Sequence, residues 1–231
     1  MKLIAIVPAA GLGRRFDASV KKTMVMVKGF PLLVHTLTRL NRSKLVYEII
    51  PVIHEEDIEE WISIIDGSKI DKIKKIVPGG KDRQDSVFNA LRILKEEGLV
   101  LIHDGVRPVF PVGLIDILVN GIKGFDGIAP GLPVRETIKT VGPDGIVVNT
   151  EDRDKFWTVQ TPQVFPLKVL MKAYESAYPD GFYATDDASL VERIGGKVKI
   201  IAGSPFNIKV TTPEDLDIVE YLLDKSEIAL H

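Results

Sequence analysis

Short apolar runs alternate with amphipathic stretches along nearly the whole chain, and few folds accommodate that rhythm. Residues 3–8, 47–53, 73–77, 99–103 and 197–202 read as buried strands. Between them, in residues 85–97, Val87, Ala90, Leu91 and Leu94 fall at i, i+3, i+4 and i+7, one face of a helix. Residues 55–66, 114–122, 167–177 and 186–194 behave the same way. The last helix is announced by Thr212 as N-cap, Pro213 in the first turn, and Glu214 and Asp215 at the positive end of the dipole. Strand–helix alternation predicts a mainly parallel sheet with helices on both faces. Ligands of such sheets bind beyond the carboxyl ends of the strands.

One segment breaks the pattern. Residues 137–141 and 146–150 are β-rich and separated by Gly142-Pro143-Asp144-Gly145, a turn cluster. They predict a hairpin inserted into the α/β body, an arm spanning residues 133–155. A hairpin this short is marginal alone, so the arm is expected to pack on a second copy of the chain. No linker divides the 231 residues, which are read as a single domain, 1–231.

Composition closes several other routes. Hydrophobic residues make up 45%, enough for a large core. There is no cysteine, which removes disulfides, thiolate nucleophiles and cysteine zinc sites, and fits a cytoplasmic location. The four histidines have no metal-ligand spacing. No run approaches the roughly 18 apolar residues of a membrane helix. The amino-terminal stretch is interrupted by Pro8 and followed by Gly11, Gly13, Arg14 and Arg15, so it reads as a first strand rather than an export signal. A net charge of −2 argues against nucleic acid as a partner. Residues 1–47, however, carry nine basic residues against one acid, which suggests an anionic ligand at that end.

Four motifs carry candidate chemistry. Pro8-Ala9-Ala10-Gly11-Leu12-Gly13-Arg14-Arg15 follows the first strand, and its small residues let backbone N–H groups approach an anion. It matches neither G-x-G-x-x-G, since Phe16 stands at the third glycine, nor the P-loop pattern. Lys21-Lys22 adds charge a few residues on. His103-Asp104-Gly105-Val106-Arg107-Pro108 puts an acid at the carboxyl end of an apolar strand, poised for Mg²⁺. Gly79-Gly80-Lys81-Asp82-Arg83-Gln84-Asp85-Ser86 opens a helix and suits hydrogen bonding to a base edge or an anion. In Asn207-Ile208-Lys209-Val210-Thr211 the lysine projects off a short strand, away from its apolar neighbours. No G-x-S-x-G elbow supports hydrolase chemistry.

Taken together, and with Thr150-Glu151-Asp152-Arg153, Trp157, Thr161-Pro162-Gln163 and Thr185-Asp186-Asp187-Ala188-Ser189 in register, these motifs resemble the cytidylyltransferases of the non-mevalonate isoprenoid pathway. The resemblance runs from Leu3 to about Leu223. It implies an α/β fold, a mainly parallel Rossmann-like sheet flanked by helices, of nucleotidyltransferase type with a protruding β-hairpin arm. It implies coupling of CTP to 2-C-methyl-D-erythritol 4-phosphate, by in-line attack of the substrate phosphate on the α-phosphorus with release of pyrophosphate. In residue terms it implies that Pro8, Ala9, Ala10, Gly11, Leu12 and Gly13 wrap the triphosphate and that Arg15 and Lys22 stabilise charge on the α-phosphate. Asp104 would hold Mg²⁺, with Gly105 beside it. Gly80, Arg83 and Ser86 would serve the nucleotide. Lys209 and Arg153 would grip the incoming phosphate, and Thr137, Arg107, Thr161 and Thr185 would line the polyol pocket. Arg153 would act across a homodimer built on the arm.

Two stretches depart from the family pattern. Lys21 stands where a proline usually precedes the lysine, and Gly105-Val106 replaces a usual Ala-Ala, which predicts a looser turn beside the metal. A cytidylyltransferase for ribitol 5-phosphate or another polyol phosphate is the alternative, since it would share the nucleotide loop. A non-catalytic nucleotide sensor would have lost one of Arg15, Lys22, Asp104 or Lys209, and all are present.

Overall fold

The structure is a computed structural model that describes residues 2–11, 21–95 and 97–229. In chain order its elements are β1 (Lys2–Pro8), β2 (Met26–Val27), β3 (Phe30–Pro31), α1 (Leu32–Arg42), β4 (Val46–Ile53), α2 (Ile58–Gly67), β5 (Val77–Pro78), α3 (Arg83–Leu91), β6 (Gly98–Ile102) and α4 (Gly113–Gly121). The second half holds β7 (Gly127–Pro133), β8 (Lys139–Val141), β9 (Val147–Thr150), β10 (Trp157–Val159), β11 (Gln163–Pro166), α5 (Leu167–Ala177), α6 (Asp187–Arg193), β12 (Val198–Ala202) and α7 (Pro213–Ala229).

The main sheet runs β10-β7-β11-β6-β1-β4-β5, with β12 also pairing β7. β1 lies between β6 and β4, parallel to both, and β5 continues the parallel set. β11 is antiparallel to β6 and to β7, and β12 is parallel to β7. Leu3–Val7 are buried without interruption, as expected of a strand covered on both faces. One layer packs Leu33, Leu37, Trp61, Phe110 and Leu118 against the sheet, the other Val87, Leu91, Leu170, Tyr174 and Leu190. Because β1, β4, β5 and β6 point the same way, the loops after them open at one end, and β11 starts there from the opposite direction.

Several sequence expectations shift. The strand expected at 73–77 reduces to Val77–Pro78 plus an isolated Ile73–Ile49 bridge. The helix expected at 85–97 begins at Arg83, under a reciprocal Asp82–Asp85 capping box, and stops at Leu91. The chain then turns so that β6 can start at Gly98. Residues 55–57 form a single 3₁₀ turn before α2. At the start of α7 the Asp215 carboxylate accepts from the Thr211 and Thr212 N–H groups, at 2.7 and 2.9 Å. The hairpin forms with shorter strands than expected. β8 and β9 pair with each other only, all seven of their residues are exposed, and Gly145 takes a φ of 80° in the turn. Among the described residues no helix is long and apolar enough to cross a membrane.

Candidate active site

The carboxyl ends of β1, β4, β5 and β6 surround a cavity of about 710 Å³. Pro8, Ala9, Ala10 and Gly11 form one wall, Gly80, Arg83 and Ser86 another, and Lys22, Asp104 and Lys209 reach in from the rest. Leu12, Gly13 and Arg15 lie outside the described residues.

The two glycine-rich loops fit each other closely. Gly79 N–H donates to the Ile53 carbonyl at 2.7 Å, and a Cβ on Gly79 would stand 2.2 Å from the Ala10 Cβ. No residue with a side chain fits there without separating the loops. The Ser86 hydroxyl accepts from Gly80 N–H and donates to the Asp82 carbonyl, both at 3.0 Å. It therefore braces its own loop and keeps one acceptor position for a base edge, and the Gly80 N–H is already committed.

Asp104 is the electrostatic centre. Arg83 Nε lies 3.2 Å from Oδ1, while Arg107 Nε at 3.3 Å and Lys209 Nζ at 3.0 Å share Oδ2. Burial pushes the carboxyl pKa up, but Arg83, Lys209 and Arg107 together hold it well below the usual carboxylate range. Arg83 also reaches Asp187 at 2.7 Å, and Tyr174 donates its phenolic hydrogen to the other Asp187 oxygen. Burial alone would lower the pKa of Arg83; the two carboxylates more than reverse it, so the guanidinium stays charged.

Behind Asp104 a buried hydrogen-bond chain fixes its position. His103 Nε2 donates to the Arg107 carbonyl at 3.1 Å, which leaves Nδ1 to accept from the Thr161 hydroxyl at 3.0 Å. That hydroxyl in turn accepts from the Asp104 backbone N–H at 3.0 Å. His103 is fully buried, and desolvation lowers its pKa to about 3, so the ring is neutral. Asn207 completes the frame: its side chain donates to the Thr161 carbonyl at 2.7 Å, and its own carbonyl accepts from Arg107 at 2.8 Å.

These contacts revise five expectations. Thr161 is buried and does not line the cavity; its hydroxyl bonds His103 and the Asp104 N–H instead. Arg107 lies behind Asp104, only 11% exposed at its side chain, rather than along a polyol pocket. Residues 207–211 are not a strand; Lys209 is projected by the buried Asn207 and Val210 on either side, and Val210 N–H bonds the Val106 carbonyl at 2.9 Å. The turn at Gly105 is packed, not loose. Its N–H donates to the Pro8 carbonyl at 3.3 Å, Thr36 donates to its carbonyl at 2.9 Å, and an added Cβ would meet Leu33 at 2.9 Å. Lys21, expected near the phosphates, pairs with Asp57 at 2.5 Å. Asp187 and His103 stand in motifs that give neither of them a role. Their partners, Arg83 and Thr161, lie far along the chain, and no spacing rule reveals such pairs.

A family model described as "IspD: 2-C-methyl-D-erythritol 4-phosphate cytidylyltransferase" matches residues 3–225. The chain belongs to this family. A cytidylyltransferase of that name from Syntrophus aciditrophicus is 41% identical over 228 residues, covering 98% of this chain and 97% of its own. One from Symbiobacterium thermophilum is 42% identical over 221 residues, covering 95% and 92%. Among solved structures, the 4-diphosphocytidyl-2C-methyl-D-erythritol synthase of Anaerococcus prevotii superposes with a TM-score of 0.84 at 32% identity, covering 96% of both chains. The Francisella tularensis cytidylyltransferase gives 0.80 at 30%, covering 96% of this chain and all of its own.

Three residues carried over from the cytidylyltransferase pattern do not line the cavity. Thr137 and Thr185 are exposed, and Arg153, 56% exposed at its side chain, donates to the Arg135 carbonyl at 2.7 Å. As for a metal, the described residues contain no group of three or more acidic or histidine side chains placed to hold an ion together. Asp104 and Asp82 both line the cavity, and each offers a hard carboxylate. That donor set fits a cation such as Mg²⁺, which takes one or two carboxylates and completes its shell with phosphate oxygens and water.

Proposed function

We infer that the chain transfers the cytidylyl group of CTP to 2-C-methyl-D-erythritol 4-phosphate and releases pyrophosphate, a step in the synthesis of isoprenoid precursors. One observation carries the reading: Arg83, Lys22 and Lys209, from three separate stretches of the chain, line one cavity with Asp104. A phosphate oxygen of the acceptor attacks the α-phosphorus of CTP in line. The bond from that phosphorus to the bridging oxygen breaks, and pyrophosphate leaves with the electron pair. No covalent enzyme intermediate is needed, so positioning and charge neutralisation supply the rate.

On this reading the wall at Pro8, Ala9, Ala10 and Gly11 cradles the triphosphate, and Gly80 and Ser86 face the cytosine. Lys22, with Arg15, meets the α-phosphate. Mg²⁺ held by Asp104 and the phosphates would neutralise charge on the leaving pyrophosphate. Lys209 is the most exposed of the three cations on Asp104, 42% at its side chain. It is therefore the one best placed to exchange the carboxylate for the acceptor's phosphate.

Neither Thr137 nor Arg153 lines the cavity of its own chain, which favours a homodimer in which the arm of residues 133–155 serves the neighbour. The apolar exposure of Val141, Ile146, Val147 and Val148 on the arm supports this. CTP and polyol phosphates are cytoplasmic metabolites, and the enzyme is assigned there. The test is pyrophosphate release with Mg²⁺ and CTP against a panel of polyol phosphates. Preference for the methylerythritol phosphate is expected; preference for ribitol 5-phosphate overturns the substrate assignment and leaves the mechanism standing.

A further inference from the structure

A second cavity, of about 580 Å³, lies against α1 and shares no lining residue with the first. His35, Thr38, Arg39 and Arg42 face it from one side of that helix, at i, i+3, i+4 and i+7. Arg39 is 6% exposed, yet no carboxylate of the described residues pairs with it. Its one hydrogen bond among the described residues is a long one, Nη1 to the Phe110 carbonyl at 3.4 Å. Most of the five N–H donors of this guanidinium are thus left without a protein partner, in a place where an unpaired charge is costly.

The neighbouring groups do not fill the gap. Asp224 lines the cavity, but Lys28 holds it at 2.9 Å, with Glu220 beside the same ammonium. His35 Nε2 sits 2.8 Å from the Val27 carbonyl, and Ser68 donates to the Ile64 carbonyl. Burial, with Arg42 adding repulsion, lowers the pKa of Arg39 to about 10, so the group remains a cation at neutral pH. A buried fork of donors, a second guanidinium on the rim and a spare hydroxyl at Thr38 match a tetrahedral oxyanion better than a single carboxylate.

We propose that this cavity is a second anion site, taking a small oxyanion of the phosphate class on Arg39, with Arg42 closing over it. The site is independent of the transfer reaction and is tested without measuring activity. The full chain is titrated with inorganic phosphate at constant ionic strength, and the side-chain Nε–H signals of its arginines are followed by NMR. The Arg39 signal is assigned by its loss in Arg39→Lys. Saturable shifts of Arg39 and Arg42 are expected, and Arg42→Gln, at an exposed position, should weaken the Arg39 titration at least tenfold. Asp224→Asn should tighten binding by freeing Lys28. Shifts no larger than those given by chloride overturn the proposal. So does an Arg39 signal that moves in Asp224→Asn without phosphate, since Asp224 would then be its partner.

Discussion

Around Asp104 three cations meet two carboxylates, because Arg83 is shared with Asp187 while Arg107 and Lys209 are not shared. The surplus positive charge, with Lys22 close by, gives the cavity an attraction for a polyanion that no single residue provides. It also separates roles. Arg83 and Arg107 hold Asp104 in place, so removing Lys209 leaves the carboxylate paired. Lys209→Met is therefore expected to cost about 10²–10³ in kcat, the usual loss for a preorganised charge donor, with the thermal midpoint changed by no more than a surface substitution changes it. A variant that melts early, or one that keeps full turnover, contradicts this division. Gly79 tests the other wall. Alanine there would bring its Cβ to 2.2 Å from that of Ala10, and relief requires the base-side loop to move. Overpacking of this kind costs about 1–3 kcal/mol. Gly79→Ala should raise the KM for CTP more than it lowers kcat; an unchanged KM means that the two loops do not meet around the nucleotide.

The hairpin is the element whose sequence makes least sense inside one chain. Its strands pair only with each other, and Val147 and Val148 are 52% and 71% exposed. Replacing residues 137–150 with a short Gly-Ser linker should leave the α/β body folded by circular dichroism but give a monomer in sedimentation, with little turnover. A fully active monomer refutes the shared site. The same contrast explains what could be read in advance. β1, β6 and the Ile49–Ile53 part of β4 are buried and so appear as apolar runs, and the expected limits fall within a residue or so of the true ones. β7 reads Gly-Ile-Ala-Pro-Gly-Leu-Pro and looks like a loop. It is a strand because Phe165 and Ile200 press on it where Gly127 and Gly131 have no side chains. α1 follows Pro31 with no side-chain cap to announce it. In the site, Asp104, Lys209, Gly80 and Ser86 were legible because they sit in motifs at strand ends. The roles of Thr161, Arg107 and His103 were not. They depend on hydrogen bonds to residues up to 100 positions away, which become visible only when β11 and the segment before α7 are folded against β6.

For the whole molecule, the buried frame behind Asp104 makes stability a function of pH. His103 is protonated near its ordinary pKa of 6.5 when unfolded, but only near about 3 when folded, because burial disfavours the imidazolium. A depressed folded value means that its contribution is fully present above pH 6.5 and is lost as the pH falls toward 3. Asp104 acts in the same direction at lower pH. Its folded pKa lies below its unfolded value, so its contribution is present above about 3.8 and falls away under more acid conditions. Between pH 6 and 4 the histidine therefore dominates this pair, and one extra proton bound by the unfolded state gives a slope of about 1.4 kcal/mol per pH unit. Denaturant unfolding of wild type across that window should show the slope. In His103→Gln the absolute stability will be lower, since one of two hydrogen bonds is disturbed, but the slope should flatten by about one proton. If the slope is the same in both proteins, the proton is taken up elsewhere, and the neutral ring between Thr161 and Arg107 is not what ties this fold to pH.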